Sequence, residues 1–316
     1  MTYTGMRIGA LAIVFGLGCA VGCSSGPGRL GGHGDGGNHL GDGMLSYGDG
    51  GGQNPGDGGQ AGCASEPAGC YTVYAHSNNV LYRIDLMAKT LVEVGPFNAP
   101  DVTVNNKMVQ DIMTDLAVSP KDDTIYTVSN TNLYTVSATD GHVTLIAPIA
   151  NCGTQAVALT FTPDGNLYAA DFKGALCRID LGANPPTVTQ VGTLGSGLAI
   201  AGDIVAVGDG TMYGTAYRLS DTSGGTQNNN LLVKIDPMTG AASAPIGSTG
   251  YPKLFGVAYA LGQVFGFTHD GSGDVVTIDP KTGQGALYNT FKDPTTNMGI
   301  SFAGAGVNAD VSPTIQ

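Results

Sequence analysis

Residues 156–181 read AVALTFTPDGNLYAADFKGALCRIDL. Ala156–Thr162 is an apolar, β-branched run of strand type. Pro163-Asp164-Gly165 is a turn, because proline presets one backbone dihedral and glycine accepts a positive one. Asn166–Asp171 makes a second short strand, and Leu176–Leu181, beyond a Lys-Gly bend, a third.

Three motifs of this unit recur in fixed order outside it. The first is a small apolar run: Leu116-Ala117-Val118, Leu159-Thr160-Phe161, Ile204-Val205-Ala206, Val257-Ala258-Tyr259 and Ile300-Ser301-Phe302. The second centres on an aromatic: Tyr71, Tyr126, Tyr168, Tyr213 and Phe265. The third is Ile-Asp-Pro or a relative: Ile84-Asp85-Leu86, Val136-Ser137-Ala138, Ile179-Asp180-Leu181, Ile235-Asp236-Pro237 and Ile278-Asp279-Pro280. A looser β run follows each third motif, as in Leu91–Val94 and Val188–Gly192, giving four strands per repeat. The first two motifs return every 42 to 55 residues. That period and strand count are those of propeller blades.

The ends of the array close it. The first copy begins at the second motif, and the last copy of the first motif, Ile300–Phe302, has nothing after it. A C-terminal strand is thus left to complete the N-terminal blade, removing two exposed sheet edges. The expectation is an all-β, five-bladed β-propeller of four-stranded blades over residues 70–307, with 308–316 as a tail. Leu198-Ala199-Ile200 imitates the first motif in blade four, although the Gly208-Asp209-Gly210 turn favours Ile204 for that register. The polar, Gly-rich stretch Leu219–Asn230 is placed as an exposed loop of the same blade.

Composition agrees. The 316 residues include 51 glycines, and only 12% are charged. Glu66 and Glu93 are the only glutamates; all other carboxylates are Asp, a turn residue and a poor strand or helix former. A net charge of −12 without a basic run argues against nucleic-acid or anionic-lipid partners.

The N-terminus reads as an export signal: Arg7 supplies the positive region, and Ile8–Leu17 is an apolar run too short to span a bilayer comfortably. Ala20-Val21-Gly22-Cys23 resembles the bacterial lipoprotein signal, in which the Cys is lipidated and becomes the mature N-terminus. The resemblance implies a signal over 1–22, a lipid on Cys23, and export to the cell envelope. With Ser24 in place of the Asp that retains some lipoproteins, it implies the outer membrane. Gly26–Gly62 is nearly half glycine and cannot bury enough surface to order itself, so residues 23–69 read as a lipidated, disordered tether. Thirty-seven such residues reach roughly 30–35 Å on average.

The repeats resemble those of bacterial NHL, YVTN and gluconolactonase-like propellers, whose blades read like LTFTPDGNLYAAD…RIDP.TG. In a propeller, the first motif lines the central channel, and one rim gathers the loops entering it with those between motifs two and three. On that rim fall Asp111, Asp115, Asp171, Asp203, His76, His269, Asp270 and Asn297, with Asn78 beside them. Asp115 and Asp203 hold the same place in their repeats, so they are expected to converge near the channel mouth. Ala158, Gly256 and Gly299 are assigned to the equivalent places in the other blades. Carboxylates with amides suit a hard cation such as Ca²⁺, which takes six to eight oxygens. Gluconolactonase-like enzymes hold such a metal with Glu, Asn and Asp; this chain offers no Glu there. Glu93 falls on an outer strand and Glu66 before the ring, which weighs against glycosidase chemistry. Strand capping and loop hydration are the simpler role for the Asp residues, so no catalytic residue and no cofactor is assigned.

Of six cysteines, Cys19 leaves with the signal and Cys23 takes the lipid. Cys63, Cys70, Cys152 and Cys177 allow three pairings in an oxidising compartment. Cys63–Cys70 would pin the tether to the first blade, and Cys152–Cys177 would tie the start of blade three to its own third strand. The repeated tyrosines are expected to pack between blades. The sum is a membrane-anchored binding module, a monomeric ring for a protein or small-molecule ligand. A metal-dependent lactonase-like hydrolase and a structural spacer in an envelope complex are the alternatives.

Overall fold

A computed structural model describes residues 72–149, 152–221 and 230–307. The signal, Cys23, the tether, Tyr71, the proposed Cys63–Cys70 bond and the tail lie outside the described residues. In chain order the strands are β1 (Thr72–His76), β2 (Val80–Asp85) and β3 (Thr90–Pro96), then β4 (Asp101–Val104) and β5 (Lys107–Gln110). Next come β6 (Met113–Val118), β7 (Ile125–Ser129), β8 (Asn132–Val136) and β9 (Val143–Pro148). They are followed by β10 (Ala156–Phe161), β11 (Leu167–Asp171), β12 (Ala175–Asp180) and β13 (Thr187–Thr193). Then β14 (Leu198–Ala206), β15 (Met212–Arg218), β16 (Leu231–Ile235) and β17 (Gly247–Ser248) precede β18 (Leu254–Ala260), β19 (Gln263–Thr268), β20 (Asp274–Ile278) and β21 (Gly285–Thr290). The last is β22 (Gly304–Gly306).

These strands form five antiparallel four-stranded blades, ordered β22-β1-β2-β3, β6 to β9, β10 to β13, β14 to β17 and β18 to β21. The chain is therefore a five-bladed propeller whose C-terminal strand completes the N-terminal blade. Among the described residues the helical content is one 3₁₀ turn, Leu219–Asp221.

Two registers differ from the sequence expectation at the seam. The closing strand is Gly304–Gly306, not Ile300–Phe302: Tyr74 pairs with Gly306, Ala75 with Ala305 and His76 with Gly304. Ile300 and Phe302 pack instead into the core between blades five and one, where Phe302 meets Tyr82 and Phe267 edge-on. The aromatic of the second motif in blade one is Tyr74, since Tyr74 faces Gly306 as Tyr126 faces Ala117. In blade four both candidate runs belong to β14, which bulges between Ile200 and Ile204. The β4–β5 hairpin linking blades one and two is an addition that the repeat pattern does not contain. It turns on Asn105-Asn106, both at positive φ, a conformation asparagine tolerates. Asn230 is not part of an exposed loop: it is fully buried, and its carboxamide accepts the Leu254 N–H at 2.6 Å.

The core is divided into five clusters, one in each gap between neighbouring blades. The motif-two aromatics sit there, with Tyr126 edge-on to Phe161 across one gap. Each blade alone presents two apolar faces, so it is stable only when both are covered by neighbours. The motif-three Asp builds the turn into the outer strand. Asp236 accepts the Met238 N–H and the Thr239 hydroxyl, and Asp279 the Lys281 N–H and the Thr282 hydroxyl. The glycine ending that turn has positive φ at Gly240 and Gly283 and lies against Gly192 and Gly247 of the preceding blade. A side chain on either glycine would strike backbone, which accounts for Thr-Gly at this point. Cys152 and Cys177 form a disulfide with Cα atoms 5.6 Å apart, joining the segment before β10 to β12.

Candidate functional site

Four of the five innermost strands bulge where they enter the channel: β6 between Met113 and Asp115, β10 between Ala156 and Ala158, β14 between Ile200 and Ile204, and β18 between Leu254 and Gly256. A bulge leaves a residue out of the ladder and re-aims its side chain. The residues released here are Thr114, Val157, the Ala201-Gly202-Asp203 segment and Phe255. Five of these residues, Thr114, Val157, Ala201, Gly202 and Phe255, line a cavity of about 340 Å³ at one channel mouth. Ile112, Met113, Phe172, Ala303 and His269 complete its walls, with the exposed Asn78 beside them.

One residue further along each strand comes a second ring: Asp115, Ala158, Asp203, Gly256 and Gly304. The position assigned to Gly299 belongs to Gly304. Asp115 and Asp203 do meet in this layer, both wholly buried. Each also ties down the next blade. Asp115 Oδ2 accepts the Leu159 N–H at 2.5 Å, and Asp203 Oδ2 accepts the Val257 N–H at 2.5 Å. Asp203 Oδ1 takes the Ile204 N–H. Hydroxyls add to the stitching: Thr114 donates to Ala156 O at 2.8 Å and Thr215 to Leu254 O at 3.1 Å.

Burial raises the Asp115 carboxyl well above the usual carboxylate range, and the neighbouring Asp203 charge adds to it. Burial likewise pushes Asp203 up, to about 8. Two atoms in this layer lack a hydrogen-bond partner among the described residues, Asp115 Oδ1 and His76 Nε2. His76 is itself fully buried; its Nδ1 lies 2.7 Å from Ser77 O and so carries the ring proton, leaving Nε2 an acceptor. Burial lowers the His76 pKa to about 4. Both orphan atoms face the bare α-carbon of Gly304, where a methyl group would collide with each. All the Asp203 oxygens accept N–H groups, so a proton shared by the pair belongs on Asp115 Oδ1. From there it can satisfy Asp203 or His76, removing the cost of an isolated buried acceptor.

The donor set does not suit a cation. Three of the four carboxylate oxygens already accept backbone N–H groups, whereas Ca²⁺ requires six or more oxygens. Among the described residues, no group of three or more His, Cys, Asp or Glu is arranged to hold a metal ion.

The other rim candidates separate. His269 is at the mouth, stacked on Phe255 with centroids 4.7 Å apart and planes 14° apart. Its Nδ1 lies 3.0 Å from Phe302 O, and burial lowers its pKa. Asp111 is buried and spent within blade two, accepting the Tyr134 hydroxyl at 2.7 Å and the Asn132 amide at 3.0 Å. Asp171 caps its own loop through the N–H groups of Lys173, Ala175 and Thr154. Asp270 holds the hairpin turn by accepting the Ser272 N–H. Asn297 lies in the loop entering β22 and does not line the cavity: it is exposed at positive φ in the turn begun by Asp293, whose carboxylate accepts the Tyr82 hydroxyl. The neighbouring Thr295 reaches Glu93 on the outer strand of blade one. Val157, Phe172, Phe255 and Ile112 carry no polar group that would mark them in the sequence, yet two of them share a signal with Thr114. Thr114, Val157 and Phe255 each stand one place before the Asp115-equivalent residue of their repeat.

Bulged inner strands around an apolar mouth over a sealed polar layer define this molecule as a propeller with a mouth-facing cavity and a closed floor. The family described as a repeat of unknown function (DUF6923) matches residues 114–298. That is more than half of the chain, and the chain belongs to this family. No curated protein matches it. Among solved structures, a chain of a nidogen/laminin complex is 12% identical with TM-score 0.48, over 75% of this chain and 98% of that one. Virginiamycin B lyase from Staphylococcus aureus is 13% identical with TM-score 0.36, over 70% and 65%. Glutaminyl cyclase from Myxococcus xanthus is 15% identical with TM-score 0.41, over 62% and 71%. At TM-scores below 0.5 these likenesses say nothing of what this chain binds or does.

Proposed function

We propose that this protein is an exported, lipid-anchored binding module whose ligand enters the channel mouth. The observation that carries the binding role is the mouth itself. Four bulged strands present side chains to a mostly apolar cavity at the small end of the usual 300–1,000 Å³ range for ligand sites. The hydrolase alternative is weaker, because Asp115 and Asp203 are buried and hold β10 and β18 in place. Lipid anchoring rests on the Arg7, Ile8–Leu17 and Cys23 pattern, and the outer membrane on Ser24.

Two experiments test the two halves. A ligand-observed NMR screen of small apolar fragments against the full ring should find binders that Val157→Arg expels; binders indifferent to that change would refute the mouth as the site. Metabolic labelling with a fatty acid in a Gram-negative host should mark the chain, and Cys23→Ser should abolish the label. A labelled Cys23→Ser chain would refute the anchor.

A further inference from the structure

Within the mouth, two polar side chains are on offer: Asn78, exposed to solvent, and the more sheltered His269. His269 Nδ1 carries its proton toward Phe302 O at 3.0 Å, which leaves Nε2 as an acceptor with no hydrogen-bond partner among the described residues. Its ring is held in place by the parallel stack on Phe255. The hydroxyl of Thr114 is committed to Val128 O and Ala156 O. The walls formed by Ile112, Val157 and Phe172 offer no charge. Below them the Asp115–Asp203 layer is fully buried, so a ligand stops at the floor.

We infer that the mouth selects a small, uncharged, flat apolar molecule bearing one N–H or O–H donor, which lies against Phe255 and donates to His269 Nε2. This inference rests on the mouth being the binding site. The volume, about 340 Å³, admits one or two fused rings and little more. Low local polarity strengthens the hydrogen bond to His269 and penalises a ligand that leaves the imidazole acceptor unpaired. Burial keeps His269 neutral at pH 7, preserving that acceptor.

The probes are indole and N-methylindole, which share a shape and differ in the donor. Dissociation constants are measured by ligand-observed NMR on the wild-type ring and on His269→Phe, which keeps an aromatic stack and removes the acceptor. The expected result is indole binding about five- to tenfold tighter than N-methylindole to the wild type, with the preference lost in His269→Phe. Equal affinities in the wild type, or a preference that survives His269→Phe, would overturn the donor inference while leaving the mouth as the site. Failure of both probes to bind the wild type would sink the mouth reading and this inference together.

Discussion

Asp115 shows how one buried group can govern the behaviour of the ring. Its folded pKa is raised, as is that of Asp203, so the folded state holds protons that the unfolded chain has released. Stability from this source is complete below about pH 4 and is lost as pH rises through the folded value, about 8 for Asp203. His76 acts in the opposite sense: its lowered pKa makes stability present above 6.5 and lost as pH falls through about 4. The two opposing effects overlap between pH 4 and 6.5, and above 6.5 the carboxylates act alone. The melting temperature is therefore expected to fall between pH 6.5 and 8.5, and Asp115→Asn should flatten that fall. The asparagine still accepts from Leu159 and supplies an N–H where the Asp115 proton sits. A slope unchanged by the substitution would show that Asp115 does not carry the proton. Gly304→Ala, by contrast, places a methyl group onto Asp115 and His76, and overpacking of this kind costs typically 1–3 kcal/mol. With roughly 2–4 °C of melting temperature per kcal/mol in a domain of this size, calorimetry would register it readily.

Among the elements, the innermost strands do two jobs, covering the channel and presenting the mouth. Their bulges were not legible in the sequence. A bulge depends on where the partner strand's ladder is interrupted, and nothing in Thr114-Asp115 or Phe255-Gly256 declares it locally. Turn chemistry was far easier to read. Pro163-Asp164-Gly165 and the Asp-led turns at Asp236 and Asp279 appear as expected, because local bonds to the Asp side chains specify them. The closing strand misled for a related reason. Ile300-Ser301-Phe302 has the apolar profile of a first motif, while the true strand, Gly304-Ala305-Gly306, has almost none. Gly304 is chosen for close approach to Asp115, and Gly306 for approach to Leu116 and Ala117. The Cys152–Cys177 bond belongs to this scale as well, since it closes 25 residues of chain between the start of blade three and β12. Replacing both cysteines by alanine is expected to lower unfolding free energy by about 2–4 kcal/mol in chemical denaturation. An unchanged midpoint would mean that the apolar packing of this gap suffices alone.

For the molecule as a whole, repetition made the architecture readable: five copies of three motifs determine blade number, strand order and the need for closure. The same equivalence brought Asp115 and Asp203 into view as partners although 88 positions separate them, since residues at one repeat position share one layer of the ring. What repetition could not supply was the purpose of that layer. Asp115 and Asp203 point to a metal when only their residue types are considered, but their oxygens are occupied by the N–H groups of neighbouring blades. The cavity above them is built from side chains that no polar motif would single out. Both the mouth and its floor exist only if the last strand seats beside the first. Ala75 and Ala305 face each other across that seam, at a separation that an antiparallel pair brings within disulfide reach. Ala75→Cys combined with Ala305→Cys, expressed in an oxidising compartment and mapped by peptide mass spectrometry, should yield a link between positions 75 and 305 within one chain. Absence of that link, or its occurrence only between separate chains, would contradict a ring closed by its own C-terminal strand.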